Sequence, residues 1–164
     1  MSYVTKMDHI PGNSLVLMNF GKIDYYDTYQ ISKRTNDTID TITTKIFKMP
    51  AWVQFLLKLR DSIVGIFGLR TGDMKNTNTE VFYPIGSKAV YFTVLDRNDN
   101  EIVMAETDKH LNFRVSVLIE RNDTISKIYL TTAVQFNNIW GRLYFWPVKP
   151  FHRLIIRSIL NRTR

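Results

Sequence analysis

The chain has 164 residues, 45% of them hydrophobic, a formal net charge of +7 and no cysteine. That length suits one domain with its own core, and the composition is that of a globular protein rather than a disordered or fibrous one. The missing cysteine excludes disulfides, thiolate nucleophiles and cysteine-ligated zinc or iron-sulfur centres, while the positive charge favours acidic partners in general and selects none.

Residues 1–20 contain a Pro11-Gly12 turn and lack the apolar run of a secretory leader, so the expectation is an irregular N-terminal segment on a cytoplasmic protein. Lys22 to Ser32, rich in Tyr, Ile and Thr, reads as a first strand. A short helix then starts near Asn36 or Asp37 and places Ile39, Ile42, Ile46 and Phe47 on one face. Pro50 opens a second helix, with Trp52, Phe55, Leu56, Leu59, Ile63 and Ile66 at helical spacing up to Gly68. Lys58, Arg60 and Asp61 at its centre argue against a bilayer span.

Thr71 to Thr79 reads as a loop, and beyond it the apolar period changes from 3.6 to 2. Strands are expected at Glu80 to Tyr83, Lys88 to Asp96, Glu101 to Thr107, His110 to Arg121 and Thr124 to Phe136. Asn98-Asp99, Asp108-Lys109 and Asn122-Asp123 supply hairpin turns between the last four. Asn138 to Arg164 returns to helical spacing, with a kink or broken start expected at Pro147 and Pro150. The order predicts a single α+β domain of the helix-grip kind, in which a curved antiparallel sheet wraps a long C-terminal helix.

Four stretches carry a family resemblance: Asp24-Tyr25-Tyr26-Asp27-Thr28-Tyr29; Pro50-Ala51-Trp52-Val53 with Leu59-Arg60-Asp61; Glu106 through Val117; and Gly141-Arg142-Leu143-Tyr144 with Lys149-Pro150-Phe151-His152-Arg153. Together they resemble the bacterial domain of unknown function numbered 2867. The resemblance implies a START-like or Bet v 1-like (SRPBCC) fold, whose members often enclose an apolar ligand, and a link to nucleotide-dependent reductases. It supplies no catalytic residues. The chain has no Gly-rich phosphate loop of its own, so no cofactor is expected.

With two-residue turns at those pairs, Leu95 faces Ile102, Met104 faces Phe113 and Val115 faces Leu130. One sheet face then gathers Tyr91, Thr93, Met104, Glu106, Phe113 and Thr132, and a bulge in any hairpin would reverse the faces beyond it. With Trp52 and Leu154 from the helices, these residues are the expected lining of a ligand site. Glu106 is the outlier, a carboxylate that needs a partner, a raised pKa or a solvated rim. It is also the candidate acid or base if the pocket is that of a cyclase- or hydratase-type enzyme.

Asp108 and His110 bracket a turn and read as surface residues, and no metal site is expected from them. The opposite face, with Phe92, Val94, Val103, Leu118 and Tyr129, is unusually apolar for a solvent side: it is covered by the N-terminal segment or a dimer partner, or it shows scattered exposed apolar residues, with scattering or self-cover the first expectation. Lys149, Arg153 and Arg157 form a basic stripe on the last helix, read first as its solvated back and second as a contact for anionic lipid or nucleic acid. Core packing is the first expectation for Trp140, Tyr144, Phe145 and Trp146, and a cavity lid or an interfacial anchor the second. Nucleic-acid modules are absent from the sequence. The leading expectation is a binding protein for a small, largely apolar ligand. An accessory domain that docks on itself or on a reductase is a further alternative.

Overall fold

A computed structural model describes residues 3–48 and 82–163. Among the described residues, seven antiparallel strands form one open sheet in the order β1-β2-β7-β6-β5-β4-β3. They are β1 (Thr5–Met7), β2 (Tyr25–Lys33), β3 (Lys88–Ala89), β4 (Phe92–Arg97), β5 (Glu101–Thr107), β6 (Leu111–Glu120) and β7 (Ser126–Phe136). The helices among the described residues are a 3-10 turn (Leu15–Leu17), α1 (Ile39–Phe47) and α2 (Ile139–Arg162). The expected second helix, 52–69, and with it Trp52, lies outside the described residues.

Thr-rich α1 has weak intrinsic propensity and is held by tertiary packing. Thr38 caps it by accepting the Thr41 N–H at 3.2 Å, and Ile39, Ile42, Ile46 and Phe47 are all buried. Asp40 fixes its position. The Asp40 carboxylate takes a two-point contact from Arg97 (Nη1–Oδ1 2.8 Å, Nη2–Oδ2 3.0 Å) and accepts the Tyr83 N–H at 2.8 Å.

The hairpins turn one residue later than expected. Asn98 N–H donates to Glu101 O, and Asp108 N–H to Leu111 O, which makes Asp99-Asn100 and Lys109-His110 the central pairs. The Asn98 side chain explains the first shift, since its Oδ1 accepts the Asn100 and Glu101 N–H groups as an Asx turn does. A turn displaced by one residue moves the register by two. Met104 therefore faces Val115 rather than Phe113, and Val115 faces Thr132 rather than Leu130. Because two is the side-chain period, the faces of β5, β6 and β7 stay as expected.

β4 differs. The displaced turn sets Arg97, not Leu95, opposite Ile102, and beyond it Leu95 bulges between the Asp96–Val103 and Val94–Met104 pairs. The bulge brings Val94 onto the Met104 face, where it is buried, and turns Thr93 to the other side. The expected strand 88–96 is also interrupted: β3 and β4 pair with each other around Val90 and Tyr91, with Val90 at φ 58°. Phe82 and Tyr83 are not strand. A three-residue strand, β1, was not expected in the N-terminal segment; it pairs with β2.

The main core lies between the sheet and the two helices, where Ile31, Met104, Val117, Ile128 and Leu130 interlock with Ile42 and Ile46 of α1 and Ile156, Ile159 and Leu160 of α2. Chain segment 10–23 covers the other face, with Val16 and Phe20 buried against Val103 and Ala133. Glu101, fully buried, pins that strap by accepting from Ser14 Oγ (2.6 Å), Leu15 N (2.7 Å) and Ser116 Oγ. Arg114 donates to the carbonyls of Val16, Met18 and Asn19. Of the apolar residues expected on this face, Val103 is covered by that segment, whereas Val94 and Phe92 pack on the main-core side.

The C-terminal helix runs through both prolines without a break. Pro147 and Pro150 are on its exposed side, where water can satisfy the carbonyls that lose an N–H donor.

Candidate functional site

Side chains alternate along β2, so Tyr25, Asp27, Tyr29 and Ile31 share the face that looks toward α2. Asp27 is opposite Thr132 of β7 in the ladder, and Tyr29 is opposite Leu130. α2 crosses above them. Its Phe145 ring packs 4.8 Å from the Tyr25 ring, the Lys149 ammonium is 4.9 Å from the Tyr25 ring centre, and the Arg157 guanidinium is 5.9 Å from that of Tyr29.

Asp27 is 1% exposed. Its Oδ2 accepts the Tyr25 hydroxyl at 2.6 Å, and its Oδ1 lies 3.4 Å from His152 Nε2, within ion-pair range but too poorly aligned for a hydrogen bond. Asp27 Oδ1, His152 Nε2, Tyr29 OH, Thr132 Oγ1 and Arg153 Nε are all buried without a hydrogen-bond partner. Native proteins pair the great majority of such atoms, and an orphan costs about 1–3 kcal/mol. Five of them where one strand pair meets one helix mark a polar locus at the edge of an apolar core.

The electrostatics are those of one coupled group. Burial pushes the Asp27 carboxyl up, but His152, the Tyr25 hydroxyl and Arg153 together outweigh it and hold the carboxyl below its ordinary value. Burial, followed by the adjacent Asp27 carboxylate, raises the Tyr25 phenol far above its usual range and also raises that of Tyr29. Arg153 is held more firmly protonated by its contact with Tyr25. One carboxylate thus faces His152 and Arg153, with Lys149 and Arg157 over the flanking Tyr25 and Tyr29 rings. The arrangement can hold a polar or anionic group, and it can orient an imidazole against a fixed carboxylate.

Of the described residues expected to line a ligand site, only Thr132 belongs to this cluster. Met104 is buried in the main core, and Phe113 packs edge-on to Phe92 with ring centres 5.2 Å apart. Tyr91 sits in the β3–β4 turn with its ring 6.4 Å from that of Phe92, not on a strand beside Glu106. Thr93 is turned away by the Leu95 bulge. Leu154 is exposed on the outer side of α2, because it lies roughly half a turn from the buried Ile156. Glu106 occupies a solvated rim, its side chain 40% exposed and 3.8 Å from Lys88 Nζ.

Asp27, Tyr25, Tyr29 and His152 were not singled out as a site, although the sequence carried a signal for them. Asp27 shares strand parity with Tyr29 and Ile31, and His152 precedes the buried Ile156 by one helical turn. Among the described residues, no three metal-ligating side chains converge, and no helix is long and apolar enough to cross a membrane.

A family model described as "Protein of unknown function (DUF2867)" matches residues 19–159, a span that holds both halves of the Asp27–His152 cluster. No curated protein and no solved structure matches the chain.

Proposed function

The chain belongs to the DUF2867 family, and from that premise we propose that it is a cytoplasmic binding protein for a small apolar or amphipathic molecule, built on a helix-grip fold of the START-like type. The polar part of that molecule is held at Asp27, His152, Tyr29 and Thr132, and its apolar part lies beside the Tyr25 and Phe145 rings at the edge of the packed core. The observation that carries this reading is the set of buried polar atoms without partners at one strand–helix junction. A bound molecule would satisfy them together, and a few convergent polar groups beside apolar walls is the composition of a ligand site.

The experiment is native mass spectrometry of the chain purified from its own host, followed by denaturation to release whatever was retained. A specific small molecule leaves with the wild-type chain and with Glu106→Gln, and is lost from Asp27→Asn and Thr132→Val. An apo mass for the wild type, together with a melting temperature that no amphiphile raises, would sink the reading.

Proton transfer is the second reading, favoured by the buried carboxylate beside an imidazole. In that case His152 is the acid or base and Asp27 its positioning residue; Glu106, exposed at the rim, is less suited to the role.

A further inference from the structure

Apart from Arg157, which lies within it and reaches the Tyr29 ring, the outer side of α2 plays no part in the site above. At 100° per residue, Ile139, Trp140, Leu143, Trp146, Phe151 and Leu154 fall within one arc of about 140°, opposite the inward-facing residues of the helix. Phe145, Ile156 and Ile159 are buried on the inner side, whereas all the residues of the arc are exposed, Trp146 by 81%. The helix carries Arg142, Lys149, Arg153, Arg157 and Arg162 and neither Asp nor Glu. Arg142, Lys149 and Arg153 project along one edge of the arc. Large contiguous apolar patches on soluble proteins mark interaction surfaces, and an apolar helix face with tryptophans and a cationic edge has the make-up of a helix lying in a lipid interface.

We propose that α2 docks flat on an anionic bilayer surface, with Trp140, Leu143, Trp146 and Phe151 entering the headgroup layer and the helix cations meeting lipid phosphates. Charge decides between this occupant and a second copy. Dimerisation through this face would bring together two helices that each carry these cations and no carboxylate, in a chain of net charge +7, and like charges brought together oppose association. An anionic lipid surface is complementary to the same helix. The contact is peripheral; Lys149, Arg153 and Arg157 border the Asp27–His152 site, and the variants of the test leave all three in place.

The test is hydroxyl-radical footprinting of Trp140 and Trp146 in the full chain, free in dilute solution and with vesicles of phosphatidylglycerol or of phosphatidylcholine. Both tryptophans are labelled in the free chain and protected by phosphatidylglycerol, with an affinity on the order of a hundredfold above that for phosphatidylcholine at low salt. The double variant Leu143→Glu, Trp146→Glu keeps the wild-type melting temperature, because both positions are exposed, and loses the vesicle binding. Protection of Trp146 in the dilute, vesicle-free chain would overturn the proposal in favour of cover by the chain's own residues 49–81. Protection that rises with protein concentration alone would overturn it in favour of a second copy, and unchanged labelling with phosphatidylglycerol would overturn it outright.

Discussion

Asp27 on β2 and His152 on α2 stand 3.4 Å apart, joining the strand that opens the family-matched region to the helix that closes it. The Asp27 carboxyl is held below its ordinary value despite burial, and the sign of its effect on stability follows. A carboxyl whose folded-state pKa lies below the unfolded value of about 3.9 stabilises the fold at higher pH and loses that contribution as pH falls through the folded value. Asp27→Asn therefore has a flatter acid limb. The gap in urea midpoint between wild type and variant narrows between about pH 5 and about pH 2. Equal slopes over that range would show that Asp27 is not coupled to His152 and Arg153.

The same pair shows where sequence reading reached and where it stopped. Period-2 patterning assigned the faces of β5, β6 and β7 correctly even though each expected turn was misplaced, because a two-residue register shift leaves faces unchanged. It failed on β4, since nothing in the run Phe92 to Asp96 announces a bulge at Leu95. The α2 extent was legible from the apolar spacing. That the prolines leave the helix unbroken was not, because it depends on which side of the helix meets water. Asp27 and His152 were quoted only as parts of a family resemblance. Their meeting depends on β2 joining the sheet beside β7, a pairing distant in sequence that no local pattern specifies.

Glu101 is the buried anchor of the N-terminal strap, accepting from Ser14, Leu15 and Ser116. Glu101→Gln keeps the shape, weakens the charge-assisted bonds and turns an acceptor into a donor, for an expected loss of about 1–3 kcal/mol in urea unfolding. Amide exchange adds a local readout. The Leu15 N–H, protected in the wild type by the Glu101 carboxylate, exchanges faster in the variant, while β6 and β7 amides slow or quicken only with global stability. An unchanged Leu15 rate would mean that Val16 and Phe20 hold the strap by apolar contact alone.

Arg97 and Asp40 form a nearly dry ion pair, with side chains 12% and 6% exposed. Arg97 also donates to the Tyr83 carbonyl at 2.7 Å and stacks over the Phe82 ring at 4.1 Å. Arg97→Met strands the Asp40 carboxylate against the core and is expected to cost about 3–5 kcal/mol, the range for breaking one side of a buried pair. The double variant Arg97→Met, Asp40→Leu recovers most of that loss, since the penalty resides in the orphaned charge. If the double variant is no more stable than the single one, the pair is holding Tyr83 and α1 in place through its hydrogen bonds rather than merely neutralising itself.

Gly141 reverses the usual rule for glycine in a helix. In the first turn of α2, a Cβ at this position would stand 2.1 Å from the carbonyl oxygen of His110 and 3.0 Å from its carbon, and these are backbone atoms of the β5–β6 turn that cannot swing aside. The approach is close because the turn and the helix start are bonded together: Asn137 N–H donates to His110 O, and Asn138 uses one end of its side chain to cap Gly141 N and the other to donate to Lys109 O. Glycine to alanine in a helix interior ordinarily gains up to about 1 kcal/mol. Here Gly141→Ala is expected to lose about 1–3 kcal/mol, as overpacking does, because the helix start must lift off the turn. Thermal unfolding gives the sign directly. Serine at 141 should be as damaging, whereas His110→Ala, which leaves the backbone carbonyl in place, should be nearly neutral, and a stabilised Gly141→Ala would show that α2 is free to shift along the sheet.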